Sequence, residues 1–290
     1  MRTREQNKSL TGLILAMCIF GTIGIVRRYI DIPSSLIALF RAVIGTVFLA
    51  AILLISKSKP DASEIRRNLP LLILSSISLG FNWILLFESY NYTTVTTATL
   101  CYYMAPMIMI IASHFLFGER LNRKKSLCVA VAFVGIVLVS GIIRTGIPRL
   151  NEIKGILFGM GAAVLYASTV LLNKKISLSS PIDRTLIQLG LAGMVLLPYT
   201  LLTENFADIS FTPWNLVLLL IVGIVHTGIP YALYFSSVKN LPSQSVALFS
   251  YVDPILAIIL SALVLREPVG ITEILGAALI LGSAYYSEKI

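Results

Sequence analysis

Charge is scarce in this chain of 290 residues. Only 13% of positions are Asp, Glu, Lys or Arg, against about 25% in soluble domains. Fourteen acidic residues and two histidines leave few groups for acid–base chemistry. The three cysteines, Cys18, Cys101 and Cys128, show no pairing or metal spacing and read as reduced packing residues. No G-x-S-x-G, H-E-x-x-H, Walker lysine loop or Cys/His cluster occurs. These absences speak against an enzyme, an ATP-driven pump, a metal site and a bound cofactor. Nucleic acid is not expected as a partner either. The net charge is +9, but the basic residues form short clusters without interleaved aromatics.

What the chain has in excess is apolar surface. It is 57% hydrophobic with a mean hydropathy of +0.87, more than a water-soluble fold of this size could cover. The bilayer is the solvent that makes such a composition stable. A crossing helix needs about 20 apolar residues, and ten runs approach that length: Leu10–Val26, Ser34–Ser56, Leu69–Tyr90, Thr94–Phe117, Ser126–Ile143, Gly155–Asn173, Arg184–Thr203, Trp214–Ser236, Ser243–Leu265 and Gly270–Tyr286. The expectation is an all-α polytopic membrane protein of ten transmembrane helices, with no room for a soluble catalytic domain. Arg2, Arg4 and Lys8 precede the first run, but no A-x-A cleavage signal follows it, so it reads as the first helix rather than a signal peptide. With the amino terminus inside, sixteen basic residues fall on the cytoplasmic side and six outside, Arg41 lying within a span. This bias places both termini in the cytoplasm.

The chain also repeats itself. A shift of 148 residues aligns Leu71–Val137 with Leu219–Tyr285 and gives 16 identities in 67 positions, among them Tyr103/Tyr251, Pro106/Pro254, Ser113/Ser261 and Glu119/Glu267. Nearly equal offsets bring Phe20 onto Tyr166 and Arg41 onto Gln188. Residues 1–147 and 148–290 thus form two five-helix repeats. Because five is odd, the second must enter the membrane from the opposite side. Inverted repeats around a midplane cavity are a transporter architecture.

Polar groups inside a bilayer are costly, and they usually face a cavity or a partner. Asp253 lies about ten residues into its run, near the midplane. It could couple a proton or a substrate, or be a structural carboxyl bonded beside Pro254. Arg41 could hold a substrate carboxylate or phosphate by a bidentate contact, or pin the second helix internally. Gln188, its repeat partner, offers hydrogen bonds without charge. Glu88 reads as a snorkelling interfacial residue, as a charge at the cavity mouth or as a partner for Arg41. His226 is mid-span and could titrate near neutral pH, or be a hydrogen-bonded core histidine. His114 and His226 lack ligand spacing, so metal is not expected. Trp83, Tyr102, Tyr103, Tyr166, Tyr234 and Tyr251 could line a cavity with apolar faces and single hydroxyls. Gly21, Gly24, Gly159 and Gly161 read as close helix contacts.

Two stretches then resemble a known domain. Residues 90–106, from Tyr90 to Pro106, are followed by Gly118-Glu119-Arg120. Residues 243–269 contain Tyr251-Val-Asp-Pro254 and Arg266-Glu267. Together with Ala38-Leu-Phe-Arg41 they resemble the EamA domain of the drug/metabolite transporter superfamily in its ten-helix form. That resemblance implies a bacterial inner-membrane secondary carrier, often an exporter of amino acids or related metabolites. It implies a central cavity lined by helices 1, 3, 4, 6, 8 and 9, which here means Phe20, Trp83, Tyr102, Tyr166, Tyr234 and Tyr251. Glu119 and Glu267 match the family's helix-end glutamates and read as caps or gates. Arg266 departs from the pattern where the first repeat has Gly118, which sets the shared turn there in question.

The expected function is alternating-access transport of a small solute, zwitterionic or anionic because of Arg41, with protons carried by Asp253, Glu88 or His226 or with the solute gradient as the drive. A receptor or scaffold, an intramembrane enzyme and a channel are the rival readings. Repeats with midplane polar groups favour the carrier.

Overall fold

The computed structural model describes residues 4–55, 61–118, 123–140, 149–178, 180–238, 240–241, 249–287 and 289. Among these residues every regular element is helical and no strand occurs. In chain order the α-helices are α1 (Arg4–Gly21), α2 (Ile23–Arg27), α3 (Ser34–Ile55), α4 (Ala62–Tyr92), α5 (Val95–Tyr102), α6 (Ala105–Phe117), α7 (Arg123–Val139), α8 (Leu150–Lys175), α9 (Pro181–Thr203), α10 (Pro213–Gly223), α11 (Ile229–Val238), α12 (Val252–Val264) and α13 (Ile271–Ser287). A π-helical turn, Ile224–Gly228, joins α10 to α11.

Local chemistry sets many of the helix starts. Asp61, Thr94, Ser180 and Thr212 each precede a helix, and their side chains accept the otherwise unpaired first-turn N–H groups. Pro181 and Pro213 open α9 and α10, where a missing N–H costs nothing. Among the described residues, seven helices are long and apolar enough to cross a membrane: Glu5–Arg27, Ser34–Ile55, Ala62–Tyr92, Val95–Leu116, Leu150–Lys175, Pro181–Thr203 and Pro213–Tyr234. Two shorter apolar helices, Val252–Val264 and Ile271–Ser287, accompany them. The expectation of ten full spans is met only in part. Residues 242–248 lie outside the described residues and truncate the ninth run, while the fifth and tenth appear as the 17-residue helices α7 and α13.

The solvent-facing pattern is reversed relative to a soluble protein. Leu54, Ile55, Phe115 and Leu202 are among many large apolar side chains left exposed, whereas Ser75, Ser76, Asn82, Ser89 and Thr227 are buried. Such a surface suits hydrocarbon, and this is a multi-pass membrane protein. Ser75 and Ser76 donate to the Leu72 carbonyl within α4, and other buried polar groups bond between helices. Asn82 donates to the Ala162 carbonyl at 2.6 Å and Ser89 to the Gly155 carbonyl at 2.7 Å, tying α4 to α8.

The packing partners obey an exchange rule. α4 packs on α8 as α1 packs on α11, and α5 and α6 meet α8 as α12 meets α1. α3 pairs with α9, and α7 with α13. Replacing each membrane segment by the one five places along maps these pairs onto one another. Individual contacts follow the 148-residue offset too: Gly80 faces Leu196, and Gly228 faces Phe48. The small residues singled out in the sequence do sit at close approaches. A Cβ at Gly21 would lie 2.7 Å from the Asp253 carbonyl oxygen, and one at Gly159 would lie 2.8 Å from the Cys101 Cβ.

Two expected continuous runs are broken at matching positions. α5 ends at Tyr102, and α6 restarts at Ala105 with Pro106 in its first turn. α12 begins after Tyr251, with Pro254 in the corresponding place. Proline cannot donate within a helix, so both runs bend where the repeats share a Tyr-x-x-Pro.

α7 and α13 approach backbone to backbone. A Cβ on Gly135 would stand 2.9 Å from the Gly276 carbonyl oxygen, and one on Gly276 would stand 2.7 Å from that of Gly135. Gly276→Val is therefore expected to destabilise the protein by about 1–3 kcal/mol through overpacking, read as a lower melting temperature in detergent. Gly282, where an added Cβ meets nothing within 4 Å, is the control: Gly282→Ala should leave the melting temperature unchanged or raise it.

Candidate functional site

A cavity of about 510 Å³ opens between the two sets of exchanged helices, within the size range of small-molecule sites. Phe20, Arg41, Trp83 and Tyr102 line it from the first half, and Tyr166, Gln188, Tyr234, Tyr251 and Asp253 from the second. All eight residues expected to line a cavity are therefore brought to one place, together with Asp253. Glu88 and His226 do not line it. Glu88 is half-buried and accepts a 3.4 Å hydrogen bond from Asn91 at the end of α4. His226 is 3% exposed and bonds Thr22 through Nε2 at 2.9 Å, with Nδ1 3.4 Å from the Ile221 carbonyl. It is a hydrogen-bonded core histidine in the π-helical turn.

Arg41 is held from several sides. Its Nε donates to Thr227 Oγ1 at 2.8 Å, and an Nη donates to the His226 carbonyl at 3.4 Å. Its guanidinium carbon stands 4.3 Å from the Trp83 ring centroid, within cation–π range. The Tyr231 hydroxyl bonds it as well. Arg41 is thus pinned to the partner repeat, and it does not pair with Glu88. Gln188 is committed similarly: its Nε2 donates to Ser75 Oγ and to Asn173 Oδ1, each at 2.6 Å.

Asp253 sits in the first turn of α12, where the free N–H groups favour a negative charge. The Tyr103 hydroxyl donates to its Oδ2 at 2.8 Å. The break between α5 and α6 is what aims Tyr103 across the cavity. Around this pair the rings form a nearly continuous wall. Tyr102 lies 5.3 Å from Tyr166, and Phe20 lies 5.5 Å from Tyr231, centroid to centroid. The site can therefore present aromatic faces, tyrosine hydroxyls, one carboxylate and guanidinium groups to a solute.

Tyr231 and Arg184 are among the lining residues that the sequence does not single out. Tyr231 sits at the 148-residue register of Trp83, so the repeat alignment carried the signal. Arg184 was counted with the cytoplasmic basic cluster, yet α9 starts at Pro181 and carries it into the cavity wall. Hydropathy has no means of separating a loop cation from a first-turn cation.

One end of the assembly is tied by Glu267. Its carboxylate accepts from Arg28 at 2.9 Å, from the Val95 N–H at 2.8 Å and from the Ser261 hydroxyl. It thereby caps α5 of the other repeat, and Arg28 also donates to the Thr93 carbonyl at 2.6 Å. Glu119, its repeat partner, lies outside the described residues. The turn preceding Glu267 is shared after all. Gly118 has φ +66° and Arg266 has φ +54°, and these are the positive-φ positions among the described residues. Arginine here adopts the left-handed conformation that the first repeat reaches with glycine.

The sequence matches the EamA-like transporter family twice, over residues 7–141 and 153–287. It is 31% identical over 260 residues to the uncharacterised transporter YxxF of Bacillus subtilis (strain 168), covering 89% of this chain and 82% of that protein. It is 25% identical over 286 residues to the protein RarD of Salmonella typhi, covering 95% and 94%, and 24% identical over 281 residues to the protein PecM of Dickeya dadantii (strain 3937), covering 95% and 90%. A solved crystal structure superposes with a TM-score of 0.66 at 18% identity, covering 96% of this chain and 95% of the other, which bears on the fold.

Because Arg41 is buried and bonded from several sides, Arg41→Gln is expected to cost about 1–3 kcal/mol of stability, seen as a lower melting temperature. Trp214 is 61% exposed while Trp83 faces the guanidinium. In a Trp214→Phe background the same substitution should change the emission of Trp83. An unchanged melting temperature together with unchanged emission would reject the clamp.

Proposed function

The chain belongs to the EamA-like transporter family, and from that premise we propose that it is a secondary carrier moving small organic solutes across the bacterial inner membrane by alternating access. The observation that carries this reading is a cavity lined from both halves of the chain, at the junction of helix pairs that exchange under a five-segment shift. A site shared between two equivalent halves can be exposed to either side by rocking one against the other. In this reading α7, α12 and α13 complete ten spans, the halves are residues 1–147 and 148–290 in opposite orientations, and both termini lie in the cytoplasm. Amino acids or related metabolites are the proposed cargo, with export as the direction.

Arginines in the cavity favour a solute bearing a negative group, zwitterionic or anionic overall, since a guanidinium in an apolar wall is matched best by a carboxylate. The aromatic faces suit its apolar part. Asp253 is the remaining proposed proton carrier, because Glu88 and His226 stand away from the cavity wall. Its hydrogen bond to Tyr103 crosses between the repeats, so a proton on Asp253 would alter a contact that spans the two moving parts.

Reconstituted in liposomes, the protein is expected to catalyse saturable counterflow of its solute. Non-saturable flux would indicate a channel, and absence of flux a receptor or scaffold. Asp253→Asn should reduce flux driven by a pH gradient at least tenfold while leaving counterflow in place. Unchanged gradient-driven flux in this variant would reject Asp253 as the proton carrier.

A further inference from the structure

Two cavity arginines are available to meet an anion, and the structure treats them differently. Arg41 has its Nε and an Nη engaged, a tyrosine hydroxyl beside it and an indole against its face. Arg184 lines the same cavity from the first turn of α9. Its Nε is buried and has no hydrogen-bond partner among the described residues. Asp183 is its neighbour in sequence, but adjacent helical positions do not face each other. Gln188, one turn along, spends its amide on Ser75 and Asn173.

Three costs meet at Arg184. Burying a donor without a partner is unfavourable. A cation in the first turn of a helix opposes the helix dipole. A guanidinium facing a cavity inside a membrane protein gives up part of its hydration. A carboxylate arriving in the cavity offsets all three, because it accepts two parallel N–H bonds from one guanidinium. With Asp253 ionised, Arg41, Arg184 and Asp253 leave the lining one positive charge, which a single carboxylate matches. We infer that Arg184, and not Arg41, receives the carboxylate of an organic monocarboxylate or zwitterion, while Arg41 acts as a positioning residue that fixes Trp83 and α3 against the π-helical turn. This inference rests on the cavity being the solute site proposed above.

The test uses the full chain, purified in detergent, and a matched set of probes: leucine, 4-methylpentanoate (the carboxylate without the ammonium) and leucinamide (the ammonium without the carboxylate). Binding is read by thermal shift, since a ligand of the folded state raises apparent stability by mass action. Both carboxylates are expected to bind and to stabilise, and leucinamide to bind at least tenfold more weakly. Arg184→Gln should weaken both carboxylates tenfold or more and leave leucinamide unchanged, whereas Arg184→Lys should lose less than Arg184→Gln because it keeps the charge. Each variant's ligand-free melting temperature shows whether it is folded. Equal carboxylate binding by Arg184→Gln and the parent overturns the inference, as does equal binding of leucinamide and leucine, or the absence of binding by all three probes. Counterflow in liposomes separates this outcome from the transport reading. Carboxylate binding that depends on Arg184 without counterflow leaves the anchor and removes the carrier. Counterflow of leucine that Arg184→Gln leaves intact keeps the carrier and removes the anchor.

Discussion

Inside a bilayer a polar group has only the protein to bond to. Backbone N–H and C=O groups are satisfied within helices, and a side-chain donor bonds a carbonyl of its own helix, bonds another helix or faces a cavity. The arrangement of this chain follows from that rule. Asn82 and Ser89 spend their donors on carbonyls of α8. Thr22 and His226 satisfy each other where α1 breaks and the π-helical turn begins. The places where the helical ladder is interrupted, near Thr22, Tyr103, His226 and Tyr251, lie at the cavity or directly behind it.

Much of this was legible in the sequence because two periodicities survive in it. Apolar runs of span length expose the membrane helices, and the 148-residue register superposes Tyr103 on Tyr251 and Pro106 on Pro254, which marks the broken segments. That register also reaches Tyr231, given Trp83. What stayed hidden depends on depth and direction. Glu88 and His226 sit in apolar runs as Asp253 does, yet their side chains turn away from the cavity. Arg184 resembles any basic residue near a helix start until α9 is seen to begin at Pro181. The Gly118/Arg266 difference suggested a lost turn, whereas the backbone keeps the turn and places arginine in a left-handed conformation.

The two halves share packing and differ in charge. Gly80 on Leu196 and Gly228 on Phe48 are one contact made twice, and the α7–α13 pair meets glycine on glycine. Charged positions break the equivalence: Arg41 opposes Gln188, Asp253 opposes Ala105 and Arg184 opposes Ile37 across the repeat. Shape is shared between the halves while charge varies, so the cavity presents a chemically one-sided lining. Glu267 shows the same economy. One carboxylate pairs with Arg28 and also caps a helix of the other half, so that end cannot part without uncapping α5.

The unequal distribution of charge has an electrical consequence. Arg41 belongs to one half, and Arg184 and Asp253 to the other, and all three line the cavity. Moving one elementary charge through the whole membrane potential changes its energy by about 2.3 kcal/mol per 100 mV. Any rocking of the halves carries these fixed charges through part of that field in unequal amounts. If the halves rock as proposed, the balance between the two orientations would be set partly by membrane voltage, even for a neutral solute.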